Sequence, residues 1–260
     1  MNPTVIETQA FPGERSQLHL YRPNTPAPVP FVFFIHGGGW QRGDQTSLAW
    51  AWKELEPLGV GLVLPSYRLA PEHPFPCAFE DLCQLLAWVK DHGASLGLDP
   101  SRMLLMGGSA GSHLAMLLAT RALKEGRPMP TVKGVATYCG IMDLAAQYEF
   151  DRTRGATMTE SFLKAAPAEA PEQYRLASPI AHVHAGIPPV WMAHGTVDDV
   201  VPVEQSRAMV AKMREAGVSV HYQEAEGRSH TMVEEKRSEE EPPRFLFRDS
   251  LFAFVCRQLA

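Results

Sequence analysis

The sequence lacks several features that would mark other classes of protein. Its 260 residues contain only four cysteines, and their scattered positions fit neither a metal-binding spacing nor a disulfide framework. No stretch approaches the roughly 18 consecutive apolar residues of a membrane-spanning helix. The net charge of −5 gives no basic excess for nucleic acid or an anionic membrane surface. These absences argue against a disulfide-rich, a membrane-embedded and a nucleic-acid-binding protein.

The start of the chain also lacks the features of an export signal. Residues 1–7 carry neither a basic segment nor an apolar core. Together with the missing disulfide framework, this predicts a cytoplasmic, reducing location. Cys139, which follows the apolar run 134–138, is expected to be a small buried residue.

What is present fits a single α/β domain over residues 1–260. Apolar and charged fractions of 45% and 20% are ordinary for a globular protein. Strand and helix patterns alternate along the chain, which predicts a mostly parallel sheet flanked by helices. The predicted strands are 31–35, 60–66, 102–106, 132–138, 189–193 and 218–223, after an antiparallel edge pair at 4–9 and 17–22. The predicted helices are 46–56, 78–92, 110–124, 203–216 and 244–255.

Two segments interrupt this alternation. Residues 141–182 have no strong apolar period, and such a long excursion in a compact domain is either a functional element or a mobile one. They are interpreted either as a small lid over the site or as a solvated excursion. Residues 234–243 carry mixed charges, which is typical of a solvated loop or helix face.

Residues 107–111, which read Gly-Gly-Ser-Ala-Gly, are the most informative motif in the chain. They follow the apolar run 103–106 and precede a helix-like stretch, which places Ser109 at a strand-to-helix turn. A serine between glycines at such a turn is typical of a nucleophile elbow. The amides that begin the next helix are expected to face the group that Ser109 attacks.

A second glycine-rich segment, His-Gly-Gly-Gly-Trp at 36–40, directly follows an apolar run. Successive glycines let backbone N–H groups converge without side chains in the way, as an oxyanion hole requires. The candidate donors are Gly38, Gly39 and Ala110, with Gly37 as the alternative in the loop. Trp40 beside the loop is a candidate substrate-binding residue, with a core position as its alternative.

Candidates for the acid and the base come later in the chain. Asp198 and Asp199 follow the apolar run 189–193, and Asp198 is preferred because it lies nearer the end of the strand. Asp199 fits a solvated or helix-capping carboxylate. His230 lies in a terminal loop after a glycine, and the order Ser109, Asp198, His230 is the one expected for an α/β-hydrolase triad. This chemistry needs neither a metal nor an organic cofactor.

His194 follows the same apolar run as the two acids. A histidine there could suggest a metal ligand, but a lone histidine at a strand end is more often a hydrogen-bonded structural residue. We therefore expect His194 to have a structural role.

These motifs together resemble those of the hormone-sensitive-lipase-like esterases. The resemblance rests on 36–40, on Tyr-Arg-Leu-Ala-Pro-Glu-His-Pro-Phe-Pro at 67–76, on Asp81 and on the elbow, and it extends from about residue 17 to the C-terminus. Within that superfamily the chain is similar to compact bacterial esterases that include feruloyl and acetyl-xylan esterases. The resemblance implies an α/β-hydrolase fold and hydrolysis of carboxylic esters by Ser109, Asp198 and His230.

The chain departs from the family pattern in two ways. Larger relatives carry a substantial N-terminal cap, whereas 35 residues precede His36 here, which argues against a lipid-like substrate. Gly108 stands where Asp is common in the elbow, and this leaves the nucleophile unchanged. We expect small esters with short acyl chains to be the substrates, with no nucleic-acid or membrane partner.

Four other activities stay open. The resemblance suggests an acetyl-xylan or feruloyl esterase, and a similar His-Gly-Gly-x-Trp loop is known in arylformamidases. A ligand-binding homologue without turnover and a serine peptidase are further alternatives of the same fold. The sequence does not indicate an oligomeric state.

Overall fold

The computed structural model describes residues 2–26, 28–232 and 245–260. In this part of the chain, eight strands form one sheet in the order β1-β2-β4-β3-β5-β6-β7-β8. The strands are β1 (Thr4–Glu7), β2 (Gln17–Tyr21), β3 (Val29–Ile35), β4 (Gly61–Pro65), β5 (Leu98–Gly108), β6 (Val132–Tyr138), β7 (Val190–Gly195) and β8 (Val220–Ala225). Strand β2 runs antiparallel to both of its neighbours, and the remaining pairings are parallel.

The central strands are buried on both faces, which explains their near-continuous apolar sequences. In β3, Phe31 and Phe33 pack into one core cluster, whereas Val32 and Phe34 pack into another. This division follows from the alternation of side chains across a strand. The sheet therefore separates two layers of helices, and each layer has its own apolar core.

The helices cover both faces of the sheet. They are α1 (Trp52–Leu55), α2 (Cys77–His92), α3 (Ala110–Leu117), α4 (Leu144–Thr153), α5 (Met158–Leu163), α6 (Pro171–Ala177), α7 (Glu204–Glu215) and α8 (Arg248–Leu259). Helices α2, α3 and α7 contribute to the core with Phe31, and α1 and α8 contribute to the core with Val32. No helix in the described ranges is long and apolar enough to cross a membrane.

The predicted strands are confirmed, with boundaries that differ by a few residues. Strand β5 begins before the predicted start at 102, because Leu98 already pairs with Val29 of β3. The predicted helix 46–56 is wrong in type, since 3₁₀ turns at Gln45–Ala51 and Glu56–Leu58 flank the single α-turn of α1. The last helix starts at Arg248, four residues later than predicted.

Residues 141–182 contain α4, α5, α6 and a 3₁₀ turn at Pro179–His182. Phe162 and Ala177 in this segment are fully buried, so it packs against the core and is not solvated throughout. The lid interpretation stays a prediction. The charged run 234–243 lies outside the described residues.

Candidate active site

Ser109 lies in the turn between β5 and α3, at the end of the sheet where the parallel strands finish. Its backbone has φ +55° and ψ −125°, a strained conformation for a residue other than glycine. A Cβ on Gly111 would overlap the carbonyl of Ile35, so the helix approaches β3 more closely than any other residue type allows. These features match the geometry of a nucleophile elbow, and the role of Ser109 as nucleophile stays a prediction.

Ser112 holds the turn around Ser109 in place through hydrogen bonds to the ends of β5 and β6. Its buried hydroxyl lies 2.7 Å from the Gly107 carbonyl and 2.8 Å from the Tyr138 carbonyl, and it accepts a hydrogen bond from Tyr138 N at 3.1 Å. The Ser109 amide also donates to the Tyr138 carbonyl, at 3.0 Å. The ends of β5 and β6 and the first turn of α3 are thereby joined next to Ser109.

The structure brings Ser109, His230 and Asp198 into one hydrogen-bonded chain. His230 Nε2 lies 2.9 Å from Ser109 Oγ, and His230 Nδ1 lies 2.7 Å from Asp198 Oδ2. Because Nδ1 faces a carboxylate, it carries the ring hydrogen, which leaves Nε2 to accept the serine proton. The imidazole is 24% exposed and reachable from solvent. Asp199 is exposed, so the structure places Asp198, and not its neighbour, beside the histidine.

Asp198 is held as a carboxylate by several donors. Its Oδ1 accepts hydrogen bonds from the amides of Val200 and Val201, each at 2.9 Å. Burial raises the pKa of Asp198, but hydrogen bonds from His194 and His230 outweigh it, and the pKa lies well below its usual range. The carboxylate is therefore charged at neutral pH and faces the imidazole that would become positive.

The glycine loop lies directly against Ser109. A Cβ on Gly37 would approach Ser109 Cβ to 3.3 Å. Gly38 has φ +106°, a conformation that glycine adopts without strain. Within the described ranges, the amides of Gly38, Gly39 and Ala110 donate to no protein acceptor. These three amides therefore keep unused hydrogen-bond donors, and their role as an oxyanion hole stays a prediction.

Trp40 occupies a core position. Its side chain is fully buried and stacks on Phe162 of α5 at 4.2 Å between ring centroids. Its Nε1 donates to His113 Nδ1 at 3.0 Å, and His113 Nε2 donates to the Ala177 carbonyl at 2.7 Å. Trp40 therefore joins the glycine loop to α3 and α6, which favours the core alternative, and a contact with substrate stays a prediction.

Sequence reasoning missed His113, because its partners are distant in the chain and no local motif marks it. Burial lowers the pKa of His113 to about 4, so the ring is neutral at neutral pH. A neutral ring with hydrogen on Nε2 accepts from the indole and donates to the carbonyl, as both contacts require.

Residues of the 67–76 motif lie next to the glycine loop, and Asp81 pairs with one of them. Tyr67 stacks on His36, and its hydroxyl donates to the His36 carbonyl at 2.8 Å. Arg68 forms a bidentate ion pair with the buried Asp81, whose carboxylate also accepts the Arg68 amide. The Tyr67 contacts hold His36 at the start of the loop, and the Arg68–Asp81 pair fixes the segment that directly follows Tyr67.

Three buried residues, Cys139, His194 and Asp198, present potential metal-ligand atoms within 4.8 Å of one another. Both ring nitrogens of His194 and both carboxylate oxygens of Asp198 already have hydrogen-bond partners. The donor set is therefore satisfied within the protein, as expected for a structural histidine.

Comparisons with solved structures identify the fold. A structure described as a truncated form of carbohydrate esterase from gut microbiota superposes with a TM-score of 0.81 at 21% identity, over 99% of this chain and 96% of that one. A bacterial heroin esterase superposes with a TM-score of 0.79 at 26% identity, over 94% of this chain and 80% of that one. The sheet order and these matches show an α/β-hydrolase fold.

Curated relatives in Mycobacterium tuberculosis are named as esterases. Esterase LipQ is 30% identical over 84% of this chain and 54% of its own length. The probable carboxylic ester hydrolase LipM is 32% identical over 78% of this chain and 50% of its own length. The chain thus spans about half the length of these relatives. The BD-FAE family model matches residues 18–213, most of the chain, and the protein therefore belongs to the BD-FAE family.

Proposed function

We propose that the protein is a carboxylesterase that hydrolyses esters with short acyl chains. The observation that carries this proposal is the unbroken chain from Ser109 Oγ through His230 to Asp198, with distances of 2.9 and 2.7 Å. The esterase names of LipQ, LipM and the bacterial heroin esterase support the same reaction class.

The proposed reaction proceeds through an acyl-enzyme. His230 Nε2 accepts the proton of Ser109 as Oγ attacks the ester carbonyl, and Asp198 stabilises the resulting imidazolium. The oxyanion forms beside the free amides of Gly38, Gly39 and Ala110. His230 then gives its proton to the departing alcohol, and water repeats the sequence on the acyl-enzyme.

The oxyanion donors are expected to supply a large part of the rate. Loss of one such donor costs about 2.7–4 kcal/mol, or roughly 100- to 1,000-fold in kcat. The buried chain from Trp40 through His113 to Ala177 supports this role, because it fixes the loop before substrate arrives. Donors held in place need no reorganisation during the reaction.

The preference for short acyl chains follows from helix α5. Met158 at its start lies against the loop, since a Cβ on Gly39 would reach Met158 Sδ at 2.9 Å. Thr159 and Phe162 anchor the helix, through hydrogen bonds to buried Asp151 and through stacking on Trp40. A wall held in this way limits the space beside the oxyanion donors.

A cytoplasmic location is part of the same proposal. All four cysteines are free thiols, which fits a reducing compartment.

The test measures kcat/KM on p-nitrophenyl esters from acetate to decanoate, with Ser109→Ala as the control. We expect an optimum between acetate and hexanoate and background rates for the variant. An optimum at octanoate or longer would refute the short-chain preference. Faster cleavage of an aminoacyl anilide would indicate a peptidase, and faster cleavage of a formanilide would indicate an arylformamidase. Absence of turnover together with absence of fluorophosphonate labelling at Ser109 would leave only ligand binding.

A further inference from the structure

The carboxylate of Asp198 contacts a second histidine that the proposed reaction does not use. His194 lies in β7 and is fully buried. Its Nε2 is 2.9 Å from the Val201 carbonyl and 3.2 Å from Asp198 Oδ2. This is the same oxygen that accepts the hydrogen bond from His230. Two imidazoles therefore share one carboxylate oxygen, one from the core and one from the site.

The partners of His194 define its hydrogen. A carbonyl only accepts hydrogen bonds, so Nε2 carries a hydrogen and donates to Val201, while Asp198 Oδ2 lies 3.2 Å from the same nitrogen. Nδ1 lies 2.7 Å from Ser206 Oγ, which has no other side-chain partner in the described ranges. With the hydrogen on Nε2, the Nδ1 lone pair of His194 can accept the hydroxyl hydrogen of Ser206.

The result is a chain with Asp198 at its centre. One arm runs through His194 to the fully buried Ser206, and the other runs through His230 to Ser109. Both arms pair a serine with a histidine, but only the second arm reaches the partly exposed site. The buried arm can influence the reaction only through the carboxylate.

We propose that His194 is a positioning residue, which fixes the Asp198 carboxylate toward His230 and withdraws part of its negative charge. This inference rests on the proposed function and deepens it. A charged His194 would neutralise Asp198 and weaken its effect on the imidazolium of His230. The Ser206 hydroxyl opposes that state, because it occupies Nδ1 as a donor.

Other titratable groups face this centre. Burial and the charge of Asp198 raise the pKa of the Cys139 thiol, so it stays protonated and adds no negative charge beside the carboxylate. Glu224 of β8 is paired with Arg207 at 2.7 Å. Tyr222 of β8 lies near the Cys139 thiol. Asp199, the neighbour of Asp198 in the chain, is exposed. Among these, His194 is the group whose ring nitrogen lies 3.2 Å from Oδ2.

The experiment compares His194→Met with His194→Gln. Methionine fills a similar volume without a donor, whereas the glutamine amide can place N–H groups near the former Nε2. We expect kcat/KM to fall about tenfold in His194→Met. The acidic limb of its pH dependence should move to higher pH, because the carboxylate regains charge and stabilises the His230 imidazolium. His194→Gln should recover most of both properties. His221→Met, a change at an exposed histidine, is the matched control and should behave as wild type.

A second readout needs no turnover. The titration of the His230 imidazole, followed by NMR in the intact protein, should move upward in His194→Met relative to wild type. Ester hydrolysis by wild type tests the proposed function, whereas this titration tests the role of His194 alone. An unchanged titration and pH profile in a folded His194→Met protein would overturn the proposal. If that variant does not fold, Ser206→Ala should lower the His230 titration, because loss of the hydroxyl donor frees Nδ1 of His194 for a proton and a charged His194 weakens the effect of Asp198. An unchanged titration in Ser206→Ala would also overturn the proposal.

Discussion

Gly108→Ala should destabilise the protein, although the change adds only one methyl group. A Cβ built on Gly108 would lie 2.3 Å from Cζ of Tyr138, well inside van der Waals contact. The Tyr138 ring cannot yield easily, because it packs edge-to-face on Phe245 with 5.0 Å between ring centroids. The tyrosine therefore fills the space that the aspartate common in related elbows would need.

The size of the effect follows from two opposing contributions. Overpacking of this kind costs about 1–3 kcal/mol. Alanine recovers about 0.4–1 kcal/mol, because it restricts the unfolded chain more than glycine does. We expect a net loss of about 1–2 kcal/mol in the free energy of unfolding. In a domain of this size that lowers Tm by roughly 2–8 °C.

Urea unfolding of four proteins isolates the contact: wild type, Gly108→Ala, Tyr138→Ala and the double variant. The penalty of Gly108→Ala should largely disappear when Tyr138 is truncated, as expected for residues that touch. Gly93→Ala is the matched control, since its Cβ would meet nothing closer than 3.6 Å and its φ is −56°. Equal stability of Gly108→Ala and Gly93→Ala, or the same penalty in both Tyr138 backgrounds, would refute the reasoning.

Three further predictions concern the strain, the pH dependence and the substrate wall. Ser109 has a positive φ, which glycine adopts without strain and alanine does not. Ser109→Gly should therefore have a free energy of unfolding about 1 kcal/mol higher than that of Ser109→Ala in urea titrations, and both variants should be inactive. Burial lowers the pKa of His113 from 6.5 to about 4 in the folded protein. Between these two pH values the unfolded chain binds a proton on His113 and the folded protein does not, so the free energy of unfolding falls as the pH drops from 6.5 to about 4. His113→Gln should lessen that fall, measured as the difference between urea unfolding at pH 7 and pH 4.5; an equal fall would contradict it. Met158→Ala should move the optimum of the p-nitrophenyl ester series to longer acyl chains, and an unchanged profile would place the acyl group elsewhere.

The fold could be predicted largely because the central strands are apolar on both faces. Runs such as 31–35 and 132–138 stand out in the sequence, and β6 matches its predicted bounds. The predicted ends of a strand were wrong where pairing with a neighbouring strand, and not an apolar sequence, determines where the strand begins. Strand β5 includes Asp99 and Pro100, which carry no strand signal and are held by the pairing of Leu98 with Val29. Near residue 56, Pro57 lacks the N–H that would continue an α-helix.

The candidate site could be predicted as far as its local motifs reach. Glycine spacing and chain order identify Ser109 and His230, and proximity to the strand end favours Asp198 over Asp199. The contacts that hold the glycine loop in place could not be predicted, because they join positions far apart in sequence. His113 is 73 residues from Trp40 and 64 from Ala177, and a single sequence carries no sign of such pairings.

Histidine placement shows why the chemical role cannot be assigned from residue type. A general base must gain and lose a proton near the working pH, whereas a positioning histidine must keep one state. Burial lowers the pKa of His36 to about 4, as it does for His113, so both rings stay neutral near neutral pH. His194 is fixed by Ser206 and by the Val201 carbonyl. His230 differs because its ring is partly exposed while one nitrogen faces a carboxylate and the other faces Ser109. Environment, and not the imidazole itself, therefore separates the proposed base from the histidines that hold the site in place.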